Sequence, residues 1–285
     1  MGGLGNQMFQ YALGLSISEY RNDKFQIDTS ILLSRKNLNP NSVIRDFDLA
    51  EVFNIEISNK YIGVQDLNVN KYFTKFNKIL PLKIRKYYTE KHFHFNNEVY
   101  NLKSKDLILE GYWQSYKYFQ NNQNEIKRVF TFKNPLLSNS ENIMNIILNT
   151  DSVCINVRRG DFINDPILEL QSIDFYINSI NYLRSIIKTE LTFFVFSDDI
   201  EWCKNNFNFL CNSHIVDHTH KGLRFSNYLL LMSSCKHFII PNSTFGWWAA
   251  YMSSNINKKI IVPKNWFKNN KINTLDLIPN SWIKI

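Results

Sequence analysis

A chain of 285 residues with 44% hydrophobic and 15% aromatic content can build two modest domains with ordinary buried cores, and it is too apolar to stay disordered. The formal net charge of +8 favours an acidic ligand or surface (a phosphate, a nucleic acid or an anionic membrane face), although a solvated excess of lysine gives the same sum. No uninterrupted apolar run reaches membrane-spanning length, and no secretory signal is read. The four cysteines, Cys154, Cys203, Cys211 and Cys235, have neither CxxC nor zinc spacing and read as reduced thiols of a cytosolic protein.

Residues 1–7 read as a glycine-rich loop, with Met8, Tyr11, Ala12 and Leu15 following at helical spacing. Such a loop feeding a helix turns backbone N–H groups, those around Gly5 among them, toward a phosphate or sugar hydroxyl. It is no dinucleotide fingerprint, because Met8 stands where G-x-G-x-x-G needs its third glycine. No strand precedes it, so the chain reads as starting one strand late with this loop on a free end. A flexible tail is the other reading.

Residues 25–28 read as a short strand ending in a carboxylate. Residues 60–97 mix lysine and arginine with tyrosine and phenylalanine and read as basic helices. That mixture suits a nucleic acid, a membrane surface or a glycan, and equally helices with buried aromatics and solvated lysines. Residues 107–115 read as a strand running into an aromatic turn, where Tyr112 and Trp113 either stack on a sugar ring or form a buried corner. Asn134-Pro135 breaks the chain before a helix at 140–148, which puts a domain boundary between 138 and 139: one domain over 1–138, the other over 139–285.

Beyond that boundary the pattern is regular. Strands are predicted at 153–157, 191–196, 214–217, 237–240 and 259–262, with helices at 174–187, near 202, at 225–234 and at 247–252. Strands alternating with helices mean a parallel, doubly wound α/β sheet. Three strand ends carry polar clusters on one rim: Arg158-Arg159-Gly160-Asp161, Ser197-Asp198-Asp199 and Asn242-Ser243-Thr244. Guanidinium forks match phosphate oxygens, and Ser243 and Thr244 at a helix start suit a diphosphate. A surface Arg-Arg, with Asp161 as a cap or ion-pair partner, is the plainer reading of the first cluster. Helix capping is the plainer reading of Ser243 and Thr244, and the expected role of Asp198 and Asp199.

Gly2-Gly3-Leu4-Gly5-Asn6-Gln7-Met8-Phe9-Gln10-Tyr11-Ala12, Gly111-Tyr112-Trp113-Gln114-Ser115, Val157-Arg158-Arg159-Gly160-Asp161, Phe196-Ser197-Asp198-Asp199, Cys235-Lys236-His237 and Asn242-Ser243-Thr244-Phe245-Gly246-Trp247-Trp248-Ala249-Ala250-Tyr251 together resemble the bacterial α-1,2-fucosyltransferases of glycosyltransferase family 11. The likeness runs over nearly the whole chain in the same order. It implies a GT-B-like architecture, two Rossmann-like domains facing a cleft, with the donor nucleotide sugar on the second and the acceptor on the first. It also implies GDP-L-fucose as donor, a galactoside acceptor in a surface glycan, inversion at the anomeric carbon, no cofactor and no required metal. Nucleic acid is not an implied partner. The implied location is cytoplasmic, with peripheral contact at the inner membrane face if the acceptor is lipid-linked.

On that reading, negative charge builds on the β-phosphate as the bond to GDP breaks, and Arg158, with Ser243 and Thr244 near the diphosphate, would stabilise the leaving group. Gly5 and Asn6 would approach the donor, and Asp161 is the candidate general base; an oxocarbenium-like transition state with little need of a base is the alternative. Arg159 either holds the loop through Asp161 or touches the donor directly. Two positions depart from the family pattern. Asn156 stands where the family has histidine; it can hydrogen-bond a fucose hydroxyl or guanine but cannot take a proton. Tyr228 stands where many members have an acidic residue. Two other classes of function fit parts of the chain: a sugar-nucleotide or glycan binder with weak catalysis, and a nucleic-acid binder whose affinity falls steeply with salt.

Overall fold

The computed structural model describes residues 1–29, 46–55, 71–269 and 271–285. The chain divides into two compact units, Met1–Thr131 with Asn273–Pro279, and Phe132–Ile272 with Asn280–Ile285. The return of Asn273–Pro279 to the first unit is not expected from the sequence. Asp276 explains it: its carboxylate accepts the Phe95 N–H at 3.0 Å and pairs with Lys117 at 2.5 Å, and its carbonyl accepts the Tyr116 N–H at 3.1 Å.

In the first unit, helix α1 (Leu4–Arg21) begins at Leu4. Gly5, Asn6 and Gln7 are therefore helical, and the expected glycine-rich loop shortens to residues 1–3. Glycine disfavours a helix, but the burial of Leu4, Gln7, Met8 and Phe9 outweighs that preference here. Nor is the start of the chain a free end. Gln7 donates to the carbonyls of Gly2 and Asp46, at 3.1 and 2.7 Å, and accepts the Asp48 N–H at 2.9 Å. Gln10 accepts from the Met1 amine at 3.0 Å and donates to the Met1 and Gly111 carbonyls at 3.1 and 3.0 Å. Gly2 sits at φ 75°, with the Asn6 side chain where a Cβ would stand, so glycine is required there.

A short helix α2 (Leu49–Val52) follows, then α3 (Lys71–Ile79), β1 (Tyr87–Thr89), β2 (Ile108–Glu110) and α4 (Gln123–Val129). The strands β1 and β2 pair in parallel, and among the described residues they form the only sheet of this unit. Of the strand expected at 25–28, Asp28 makes only an isolated bridge. Of the basic helices expected at 60–97, residues 60–70 lie outside the described residues. Helix α3 is present, and beyond it the chain turns through Leu82–Ile84 into β1. Among the described residues no helix is long and apolar enough to cross a membrane.

The second unit holds helix α5 (Glu141–Asn149) and then β3 (Asp151–Val157), α6 (Ile173–Ile186), β4 (Leu191–Ser197), α7 (Ile200–Asn206), β5 (Ser213–Val216), α8 (Ser226–Ser234), β6 (His237–Ile239), α9 (Thr244–Met252), β7 (Ile260–Val262) and β8 (Ile283–Lys284). All six strands are parallel, in the order β5-β4-β3-β6-β7-β8. Only β8 is not expected from the sequence; two residues carry no periodicity to read.

Period-two alternation explains the layers. Val153, Ile155 and Val157 of β3 and Phe193 and Val195 of β4 share one core with Phe175, Tyr176, Ile180 and Leu183 of α6. Phe196, on the other face, meets the Tyr228 ring of α8 edge-on at 5.4 Å. Helix α9 has Trp247, Trp248, Ala249 and Ala250 at 0% exposure, so it is buried on several sides rather than along one stripe. All four cysteines are free thiols. Burial pushes the Cys154 thiol well up, and the Cys203 thiol up to about 12.

Candidate active site

Numbered from its first strand, the large sheet has the order 3-2-1-4-5-6, the doubly wound arrangement in which connections leave in opposite directions from the two central strands. Those central strands are β3 and β6, paired at Val153–His237, Cys154–Phe238 and Ile155–Ile239. Crevices at such switch points, beyond the strands' carboxyl ends, take ligands. Two of the three polar clusters predicted from sequence follow β3 and β6, and the third follows the neighbouring β4.

After β3, Arg158 is held by two carboxylates. Its Nε and one terminal nitrogen reach Asp161 at 2.8 and 2.7 Å, and the other terminal nitrogen reaches Asp198 at 3.1 Å. The Arg158 side chain remains 30% exposed. Arg159 does not hold the loop through Asp161, as expected, but pairs with Asp199 at 3.3 Å and lies over the Trp202 ring at 4.2 Å. The two arginines diverge because the loop turns at once into the 3-10 helix Gly160–Phe162, which brings Asp161 back beneath Arg158.

Asp199 caps α7 as expected, accepting the Trp202 N–H at 3.0 Å. Asp198 does something else. Its two oxygens accept the backbone N–H groups of Arg159 and Gly160, at 2.9 and 3.0 Å, so one carboxylate clasps the loop after β3. Sequence reasoning misses this role, since the partners are some forty positions apart and join only through β3–β4 pairing. Two guanidinium groups thus face three carboxylates.

After β6, Ser243 and Thr244 begin α9. The helix has no side-chain cap, so the plain capping role for Ser243 is not the one observed. A helix leaves its first N–H groups without intrahelical partners, and together with the helix dipole these favour an anion. Asn156, at the end of β3, abuts this terminus. A Cβ on Gly246 would stand 2.5 Å from Asn156 Oδ1 and 3.3 Å from Ile240 Cβ, so only glycine lets α9 start this close. Asn156 is 7% exposed. Its amide donates to the Phe196 carbonyl at 3.4 Å, and its Oδ1 has no hydrogen-bond partner among the described residues. A buried acceptor without a donor is costly and marks a place where a ligand's hydroxyl or N–H would be welcome. Tyr228, by contrast, is buried and donates its hydroxyl to the Val216 carbonyl at 2.7 Å, so it serves the core.

Within the first unit, Asn6 Oδ1 accepts from Gln114 at 2.9 Å, and Gly5 is buried in the first turn of α1. Trp113 is 2% exposed, at 6.4 Å from the Tyr88 ring and edge-on to Tyr118 at 5.8 Å; the buried corner is the correct reading, and Trp113 offers no face to a sugar. Tyr112 is partly exposed and parallel to Phe93 at 6.4 Å. Trp113 holds φ 59°, an unusual backbone for a bulky residue. Glu90, which carries no signal in the sequence, holds it there by accepting the N–H groups of Tyr112 and Trp113 at 2.7 and 3.0 Å. Burial pushes the Glu90 carboxyl up, opposed by those two hydrogen bonds. Glu90→Ala should therefore destabilise the protein by on the order of 3 kcal/mol, two bonds to a charged acceptor being lost and the strained turn released. A thermal melt unchanged from wild type would show that the clasp contributes nothing.

The profile described as Glycosyl transferase family 11 matches residues 1–285, and the chain belongs to that family. An alpha-1,2-colitosyltransferase of Escherichia coli is 32% identical, covering 100% of this chain and 96% of that protein. The O-antigen biosynthesis glycosyltransferase WbnK of Escherichia coli is 28% identical, over 100% and 98%. A galactoside 2-alpha-L-fucosyltransferase of Caenorhabditis elegans is 26% identical, over 99% and 77%. Among solved structures, a mutant of Arabidopsis thaliana FUT1 in complex with GDP has a TM-score of 0.53 at 13% identity, covering 99% of this chain and 74% of that one. NodZ alpha-1,6-fucosyltransferase soaked with GDP-fucose also scores 0.53, at 12% identity over 88% and 89%. The α/β, GT-B-like fold expected from the motifs is the fold these fucosyltransferases share.

Proposed function

We propose that the chain transfers L-fucose from GDP-β-L-fucose to the 2-hydroxyl of a galactoside in a surface glycan such as an O-antigen, with inversion and without a metal. The observation that carries this reading is the charged pair of strand ends at the switch point: Arg158 after β3 and the uncapped start of α9 after β6. As the bond from the anomeric carbon to GDP breaks, negative charge builds on the β-phosphate. Arg158, the hydroxyls of Ser243 and Thr244 and the first N–H groups of α9 stabilise that charge, and such electrostatic stabilisation dominates many group-transfer reactions.

Asn156 Oδ1 takes a hydroxyl or N–H of the donor, and Arg159 supports the loop from its place on Trp202. The acceptor hydroxyl attacks from the face opposite GDP. Asp161 takes its proton once Arg158 has exchanged the carboxylate for phosphate. The names of the relatives support the α-1,2 linkage and the O-antigen class of acceptor.

A colitosyl donor is the second reading, favoured because the relative named for colitose is 32% identical and the one named for fucose 26%. One experiment separates them: GDP-fucose and GDP-colitose, each incubated with a panel of galactosides, with products read by mass and linkage. Transfer of fucose to a 2-hydroxyl is expected, and it should survive excess EDTA. Restoration by manganese or magnesium of activity lost to EDTA would overturn the metal-free reaction. GDP binding without transfer from either donor would leave a sugar-nucleotide binder.

A further inference from the structure

We propose that the outer face of α3 and the turn after it docks on an anionic membrane surface. Residues 71–88 contain six bases, Lys71, Lys75, Lys78, Lys83, Arg85 and Lys86, and no carboxylate. Three large apolar side chains of the same stretch stand in water: Phe76 at 59% exposure, Ile79 at 77% and Ile84 at 57%. Phe76 and Ile79 are three positions apart and share a helix face, as do the exposed Lys75 and Lys78 beside them.

Among the described residues the buried position of this helix is polar. Asn77 is 1% exposed, and its side-chain oxygen accepts the N–H groups of Lys86 and Tyr87 at 2.9 and 3.2 Å. The Arg85 guanidinium donates to the carbonyls of Lys78 and Leu80 at 3.0 and 2.8 Å and closes the end of the helix. These polar contacts hold the C-terminal end of the helix, while Phe76 and Ile79 face out from it. Isolated exposed apolar residues need no explanation, but three of them set among lysines make an interfacial surface, apolar side chains entering the acyl boundary and ammonium groups meeting acidic headgroups. A nucleic acid would leave Ile79 and Ile84 unused, since an aliphatic chain offers neither a stacking face nor a donor.

This inference does not depend on the transferase reading, and its test uses no donor or acceptor. Wild-type protein is sedimented with vesicles of phosphatidylcholine alone and of phosphatidylcholine with phosphatidylglycerol. Binding is expected to the mixed vesicles only, and to fall as salt rises. Phe76→Ser with Ile79→Ser should weaken it roughly tenfold or more with every charge in place. Lys75→Gln with Lys78→Gln should weaken it roughly 25-fold, about fivefold for each cation at an acidic surface. The four side chains are exposed, so unchanged melting temperatures are expected, and each comparison is made on variants that meet that condition. Equal binding to both vesicle types overturns the proposal. So does wild-type vesicle binding by the serine pair, and duplex DNA bound equally by the serine pair and wild type would then assign the patch to a polyanion.

Discussion

Arg158→Ala is expected to lower turnover roughly 10- to 150-fold, the loss of one charge-assisted contact to a developing phosphate charge worth about 1.5–3 kcal/mol. The geometry adds a second effect in the same direction. Arg158 shields Asp161 and Asp198, so its removal strips both carboxylates of that cation and repels the diphosphate it no longer attracts. Arg158→Lys keeps the charge but cannot reach both carboxylates through one planar fork, and should rescue poorly. The melting temperature should move much less than turnover, because the side chain is part-exposed and the ion pairs it loses are of modest worth. Wild-type turnover in either variant would remove Arg158 from the reaction.

Asp198→Ala should be the more damaging change to the fold. Both its oxygens accept main-chain N–H groups of the loop after β3, and Arg158 leans on one of them. Losing them should cost on the order of 3 kcal/mol and leave Arg158 without a fixed position, so both melting temperature and turnover fall. Asp199→Ala is the comparison, since it removes an N-cap worth about 1 kcal/mol together with the Arg159 ion pair and leaves the loop's main-chain acceptors in place. An Asp198→Ala protein that melts and turns over like wild type would show that the loop after β3 is held by other means.

What the sequence discloses and what it withholds divide along physical lines. Apart from β8, the strands and helices of the second unit are legible because each is a local pattern: β-branched alternation in residues 153–157, and helical spacing of Ile177, Ile180 and Leu183. That the polar clusters share a rim also follows, since strands alternating with helices run parallel. Strand order is not legible, because β3 pairing with both β4 and β6 is decided by contacts between distant segments. Asp198 illustrates the same limit at one residue. A carboxylate before a helix reads as a cap, and only the neighbouring strand shows that its acceptors point back to Gly160.

The N-terminus misleads for a different reason. Three glycines in five residues read as a loop on propensity, but Gln7 and Gln10 tie residues 1–3 down with side-chain amides that bind main-chain groups. Carboxamides in the first turns of a helix carry no such message until their partners are known. Trp113 and Glu90 form a similar case. The aromatic turn is visible in the sequence, while the carboxylate that fixes it lies more than twenty positions earlier and arrives through β1–β2 pairing.

Helix α9 has a consequence for how this protein can change. The residues whose main chain opens toward the switch point, Thr244 to Gly246, are continuous with Trp247 and Trp248, which no solvent reaches. Trp247 lies against Tyr251 at 4.8 Å and Trp282 at 5.3 Å, so the helix is keyed at several points. Its position is therefore inherited from the core and cannot be adjusted by remodelling the loops around it. Substitutions along this stretch have no purely functional class: one that shifts the first turn also disturbs packing, and one that loosens packing also moves the first turn. Exposed loop positions that touch neither α9 nor Arg158 are free of that bond. Diversification of what the protein recognises would have to run through such loop positions, with α9 as the invariant against which they vary.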